Sequence, residues 1–111
     1  MSESILPFKG FLKFLILHEL KYGEFSGSEL AEKIGERRGS KLTPGTIYPA
    51  LKDLHNDRLV RYRSEGRKKN YRLSEKGEDE LEKSYVDFSR YCYGLKKQIR
   101  RDRLPADSDL S

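Results

Sequence analysis

Seven of the fifteen residues from Arg58 to Arg72 are basic: Arg58, Arg61, Arg63, Arg67, Lys68, Lys69 and Arg72 stand against Glu65 alone. The chain carries a net charge of +5, so this one stretch holds the whole excess and leaves the remainder slightly acidic. Solubility does not require clustering, and a confined excess of this kind suits a polyanion such as nucleic acid. The competing reading is a solvated edge hairpin, whose Lys and Arg discourage edge-to-edge pairing. Other chemistry is sparse. His18, His55 and Cys92 lie far apart and have no recognisable ligand spacing, so no metal and no cofactor are expected. Glycine-rich phosphate loops, nucleophile elbows and metal-ligand helices are missing, which argues against an enzyme and leaves no catalytic residue to name. The acidic run Glu75 to Lys83 reads as the first turns of a helix, where carboxylates complement the dipole.

The elements that must position the basic stretch follow from periodicity. A first helix is expected from Pro7 or Phe8 to Tyr22. Phe8, Phe11, Leu12, Leu15, Ile16 and Leu20 form its apolar stripe, and Phe14 and Leu17 widen it toward a second neighbour. Ser26 and Glu29 form a capping box that opens a second helix, with Leu30, Ala31 and Ile34 inward and Gly39 at its end. Thr43 caps a third helix with Pro44 at its first position. Ile47, Leu51 and Leu54 face the core there; Gly45, Pro49, Lys52 and Asn56 face out, with Tyr48 on the flank. Pro49 removes a donor in the second turn and is expected to bend or loosen the helix start.

Two alternating runs follow. Val60 and Tyr62 oppose Arg61 and Arg63; after a turn at Glu65 and Gly66, Tyr71 and Leu73 oppose Arg72. Ser74 caps a long final helix whose apolar positions Leu81, Tyr85, Phe88, Cys92, Leu95 and Ile99 step by three or four. That 3.5-residue period is a coiled-coil seam, read here as a dimer interface, against the alternative of a helix lying on its own core. Gly94 marks either a close crossing or a fray point.

With 111 residues and 37% charged side chains, the core must be small. A lone cysteine excludes an internal disulfide and fits a reducing compartment. The apolar run Phe11 to Leu17 is too short for a bilayer and contains Lys13, and no leader peptide is recognisable, so a cytoplasmic protein without membrane contact is expected.

The fold expected is mainly α with a two-stranded β-wing: a winged helix-turn-helix domain over 1–74, a dimerisation helix over 75–101, and a disordered tail over 102–111. A helix whose first turns expose small and polar groups can enter a major groove, while a cationic hairpin lies along phosphates.

At this point "LTPGTIYPALKDLHNDRLV" followed by "EGRKKNYRLSEKG" resembles the PadR family of transcriptional regulators, with its Gly-Thr-Ile-Tyr-Pro-Ala-Leu helix and Gly-Arg wing closing in Tyr-x-Leu. The resemblance implies a homodimer on double-stranded DNA, usually a repressor acting on a pseudo-palindromic operator, with the recognition helix from Pro44 to about Asp57. Thr46, Tyr48 and Lys52 would then lie near DNA and Arg67, Lys68 and Lys69 at the wing tip. Together with the exposed positions above, the candidate DNA set is Thr43, Gly45, Thr46, Tyr48, Pro49, Lys52, Asn56, Arg61, Arg63, Arg67, Lys68 and Lys69. The first helix, through Phe11 and Leu15, would join the terminal helix in the dimer interface.

Some relatives sense aromatic or cationic compounds, and Tyr85, Phe88 and Tyr91 would line such a site for an aromatic effector; their simpler reading is dimer core. Tyr48 either reaches a phosphate or packs its ring at the surface. Where many relatives have Gly before the wing, this chain has Arg58. A left-handed helix stop there would cost about 1 kcal/mol or move to Asn56. The other functional readings are a winged-helix protein-interaction module and a nonspecific DNA-binding protein.

Overall fold

The computed structural model describes residues 8–95; the expectations for Ile99, for the end of the dimerisation segment and for the tail lie outside them. The order is α1 (Phe8–Leu20), β1 (Phe25–Ser26), α2 (Gly27–Arg38), α3 (Pro44–Asn56), β2 (Val60–Glu65), β3 (Lys68–Leu73) and α4 (Glu75–Cys92). The winged-helix order is as expected, with one addition. The sheet has three strands in the order β1-β3-β2, because Phe25 and Ser26 pair antiparallel with Tyr71 and Asn70. Two residues carry no periodicity to read, so only the tertiary pairing reveals this strand.

The core is one cluster shared by α1, α2, α3, the base of the sheet and α4. Leu12, Ile16, Leu17, Leu20, Leu30, Ile34, Ile47, Leu51, Leu54, Val60, Tyr71 and Leu81 are buried in it. On α1, Leu17 is fully inside, whereas Phe11 is 43% exposed and turns toward α4. The wide stripe on α1 thus serves two neighbours.

Helix ends follow local chemistry. In α2 the Ser26 hydroxyl accepts from the Glu29 amide at 3.2 Å and Glu29 Oε1 accepts from the Ser26 amide at 2.8 Å. That amide is the main reason the Glu29 carboxyl is held below its ordinary pKa. Gly39 closes the helix at φ 80°.

The end of α3 is set by Arg58, the only described non-glycine residue at positive φ, 63°. The left-handed stop therefore stays at Arg58 and does not shift to Asn56. The Leu59 amide donates to the Leu54 carbonyl at 2.9 Å and the Arg58 amide to that of His55 at 3.0 Å, a Schellman pair.

The junction this stop creates is anchored by the start of α4. The Ser74 hydroxyl donates to the Arg58 carbonyl at 2.6 Å and accepts from the Gly77 amide at 2.9 Å, while the Ser74 amide donates to the Leu59 carbonyl at 3.1 Å. A Cβ on Gly77 would lie 1.9 Å from that same Leu59 oxygen, so only glycine fits. The helix α4 ends at Cys92, short of the expected end at residue 101. Tyr93 is extended and Gly94 takes φ 86°, which breaks the helical path.

A polar hub ties α1 to α2 and α4. Buried Glu19 receives Arg37 Nε at 2.6 Å. His18 Nδ1 lies 2.5 Å from the Tyr85 hydroxyl, and its Nε2 faces Arg37 at 3.4 Å. Because guanidinium only donates, Nε2 accepts and the proton sits on Nδ1, the neutral imidazole. Burial, then the Arg37 charge, lowers the His18 pKa below 6.5.

Two predictions follow from these features. Arg58→Gly relieves the left-handed strain, so the urea midpoint should rise by the equivalent of about 1 kcal/mol with an unchanged slope; an unchanged or lower midpoint contradicts this. Since the fold disfavours charged His18, its contribution is complete above about pH 6.5, declines as pH falls below that, and levels off beneath the lowered pKa. The stability difference between wild type and His18→Gln should therefore shrink between about pH 7 and 5, measured by denaturation at each pH. A constant difference would exclude the linkage.

Candidate nucleic-acid interface

The outer face of α3 carries Gly45, Tyr48, Pro49, Lys52 and Asn56, all exposed, with Thr43 just ahead of it and Thr46 half-buried. Thr43 adopts the extended N-cap conformation, but its hydroxyl meets that of Thr46 at 3.2 Å and makes no cap bond to the backbone. The Thr46 and Ile47 amides turn to the Thr43 carbonyl. Despite Pro49 the helix is unbroken from Pro44 to Asn56. Burial of Ile47, Ala50, Leu51 and Leu54 along its inner face outweighs one missing backbone bond. Lys13 of α1 pairs with Asp53 at 3.3 Å on one flank.

The hairpin rises on the other flank. Its strands pair from Val60 with Leu73 to Glu65 with Lys68, leaving a two-residue turn in which Gly66 takes φ 63°. Alternation puts Val60, Tyr62, Lys69, Tyr71 and Leu73 on one face, and contacts show that this face meets α3. The Tyr62 ring lies 5.0 Å from that of His55 and 5.6 Å from that of Tyr71, and Lys69 Nζ sits 4.6 Å over it. The sandwich of His55, Tyr62 and Lys69 links the end of α3 to the wing.

Arg61, Arg63 and Arg72 occupy the opposite face, away from α3. There Arg63 is held by Glu24 at 3.1 Å and Glu65 at 3.4 Å, and Asn70 donates to Glu65 at 3.1 Å. Of the expected basic residues, Arg67, Lys68 and Lys69 line one pocket with Tyr48 of α3, while Arg61 and Arg63 lie on the opposite face of the hairpin, which Lys68 shares by register.

The start of α2 closes the arrangement. A Cβ on Gly27 would meet the Tyr48 ring at 2.5 Å, so the ring rests directly on the α2 backbone. Tyr48 therefore does pack at the surface, and remains 46% exposed. An open pocket of about 340 Å³ is lined by Ser26, Ser28, Tyr48, Arg67, Lys68, Lys69 and Tyr71. Sequence reasoning passed over Ser28 because its nearness to the wing depends on the pairing of β1 with β3. His55 was legible, since it follows Tyr48 and Lys52 by seven and three residues on one helical stripe.

Residues 16–83, spanning α1 to α4, match the transcriptional regulator PadR-like family. The chain belongs to that family. Solved structures of transcriptional regulators and of RosR agree in fold. The PadR family transcription regulator from Clostridium difficile is 27% identical, covering 79% of this chain and 97% of its own, with a TM-score of 0.70. The PadR-like transcriptional regulator from Bacillus cereus is 25% identical, covering 81% and 92%, at 0.73. The RosR protein of H. salinarum, solved as the complex hsRosR-S1, is 29% identical, covering 89% and 78%, at 0.61. Curated proteins gave no match.

In this PadR-like chain the residues expected at a dimer interface separate into two groups. Leu81 is buried in the protomer's own core, and Leu15, Tyr85 and Cys92 are half-buried. Phe11 and Phe88 stack at 6.0 Å and stay 43% and 44% exposed, as do Val86, Tyr91 and Leu95 to greater degrees. Phe14 fills the space between Phe88 and Tyr85, at 5.5 and 5.6 Å. Among the described residues no cluster of His, Cys, Asp or Glu could hold a metal, and no helix is long and apolar enough to cross a membrane.

The aromatic sandwich has a measurable consequence. Tyr62→Ala removes two ring contacts and a cation–π contact, together on the order of 1 to 2 kcal/mol. Amide exchange at Lys68 and Lys69 should quicken about tenfold, while amides of α2 stay as slow as before. Unchanged exchange at the tip would show that the backbone ladder alone holds the wing.

Proposed function

We propose that this PadR-like regulator binds double-stranded DNA as a homodimer and represses transcription by occupying a pseudo-palindromic operator. The carrying observation is that the exposed, acid-poor face of α3 and the cationic wing tip stand side by side, fastened through His55 and Tyr62. In this reading Gly45, Tyr48, Pro49, Lys52 and Asn56 approach base edges and flanking phosphates of the major groove, with Thr43 and Thr46 at the helix mouth. Arg67, Lys68 and Lys69 lie on the phosphate backbone or at the minor groove and supply affinity without sequence information.

Dimerisation is supported by the exposed rings of Phe11 and Phe88, stacked on each other between α1 and α4, with Tyr91 next to Phe88 on the α4 surface. A two-fold dimer through these rings would set paired α3 helices about one DNA turn, ~34 Å, apart. The packed rings of Phe11, Phe14, Tyr85 and Phe88 favour this interface over an effector cavity.

Replacing Arg67, Lys68 and Lys69 by Ala tests the assignment. Affinity should fall for every duplex alike, and the slope of log K against log salt should become shallower by up to about 0.9 for each lost phosphate contact. Light scattering on the wild type should give twice the 13.0 kDa chain mass. A wild type that ignores DNA would transfer the fold to the protein-interaction reading, and a monomer would reject these rings as the interface.

A further inference from the structure

Gly27 is a glycine that its own backbone does not require. It is the first residue of α2, helical and without the positive φ of Gly23, Gly39, Gly66 and Gly94. It is buried, and a Cβ there would lie 2.5 Å from Cε1, 2.9 Å from Cζ and 3.0 Å from the hydroxyl oxygen of Tyr48. At Gly35 and Gly77 the atoms nearest such a Cβ are backbone, whereas at Gly27 the three nearest all belong to the Tyr48 side chain. Carbon atoms pack at about 3.5 to 4.0 Å, so any other residue at this position would displace the ring by about 1 Å.

The ring that gains this room is not part of the core. Tyr48 stays 46% exposed, while Ile47, Ala50, Leu51 and Leu54 fill the inner face of α3. From its place on the α2 backbone Tyr48 lines the pocket it shares with Arg67, Lys68 and Lys69 of the wing tip. The contact therefore orders a half-exposed side chain at the point where α3 and the wing come together. A tyrosine ordered beforehand has little side-chain freedom left to lose when a partner arrives.

We propose that Gly27 is a positioning residue for DNA recognition: its bare Cα seats the Tyr48 ring and so fixes the Tyr48 hydroxyl at the mouth between α3 and the wing tip, where it donates to a DNA phosphate. The inference rests on the DNA-binding reading and deepens it, because a residue of α2 that does not itself touch DNA then sets the affinity of α3. A substitution at Gly27 acts through Tyr48 alone. A glycine needed only for the path of α2 would act whatever residue stood at position 48.

A double-mutant cycle of Gly27→Ala and Tyr48→Ala, measured on a duplex that the wild type binds, separates the two roles. Gly27→Ala should weaken binding about three- to tenfold in the wild-type background and less than about twofold in the Tyr48→Ala background. An equal loss in both backgrounds, or no loss in either, would overturn the proposal and leave the DNA-binding reading standing. The seat is also read without DNA, since the ring current of Tyr48 displaces the Gly27 α-proton resonances in the wild type and in Tyr48→Phe but not in Tyr48→Ala. Resonances indifferent to Tyr48→Ala would overturn it. Should Gly27→Ala fail to fold, Tyr48→Phe carries the test: with the ring still seated, loss of the hydroxyl should weaken binding about three- to tenfold, and wild-type affinity would overturn the proposal. A wild type that binds no duplex would reject the DNA reading, and the positioning role with it, whatever the α-proton resonances show.

Discussion

Orientation in this molecule depends on one backbone junction, where α3 stops and α4 begins. Arg58 in the left-handed region turns the chain out of α3, and Ser74 binds both the Arg58 and Leu59 carbonyls from the far end of the hairpin. Helix α3, both hairpin strands and α4 all meet at this knot. Gly77 lets α4 approach until its backbone touches the Leu59 carbonyl, a distance no side chain permits. Strain of roughly 1 to 2 kcal/mol at Arg58 is therefore offset by hydrogen bonds that would otherwise be left unmade in a partly buried position.

From that knot outward, charge is sorted by face. The wing gathers cations at its tip, around the pocket that Tyr48 of α3 also lines, and pairs Arg63 on its other face with Glu24 and Glu65. Such exposed pairs contribute little stability, about 0 to 1 kcal/mol each. Their effect is directional: Arg63 is engaged at the back while Lys69 is laid over Tyr62 toward α3. A polyanion approaching the front meets the unneutralised charge first. The hub of His18, Glu19, Arg37 and Tyr85 joins the helix-turn-helix to α4, the helix proposed to carry the second subunit. α4 and the start of the helix-turn-helix are thus tied to each other through α1.

Most of the architecture was legible because it is written in local rules. The capping box at Ser26, Pro44 behind Thr43, the alternation around Tyr62 and Tyr71, and the serine cap at Ser74 each specify an element without reference to the rest. What escaped depends on tertiary contact. Strand β1 has two residues and exists only by pairing with β3. Leu81 belongs to the heptad series yet is consumed by the protomer's core, because one apolar period cannot say which neighbour it meets. The series also runs past Cys92, where Tyr93 and Gly94 end the helix. Arg61 and Arg63 looked equivalent to the wing-tip cations in composition. Strand parity sets them apart from Lys69, and only the pocket that the hairpin tip lines with Tyr48 sets them apart from Lys68.

The central claim, that the paired faces of α3 and the wing read a two-fold DNA sequence, is tested most directly by selecting bound duplexes from a random pool at low and near-physiological salt and sequencing them. The account predicts an enriched inverted repeat, with half-site centres about one helical turn apart, that survives at the higher salt. Binding that vanishes at the higher salt without enrichment would contradict it and reduce the protein to a nonspecific coat.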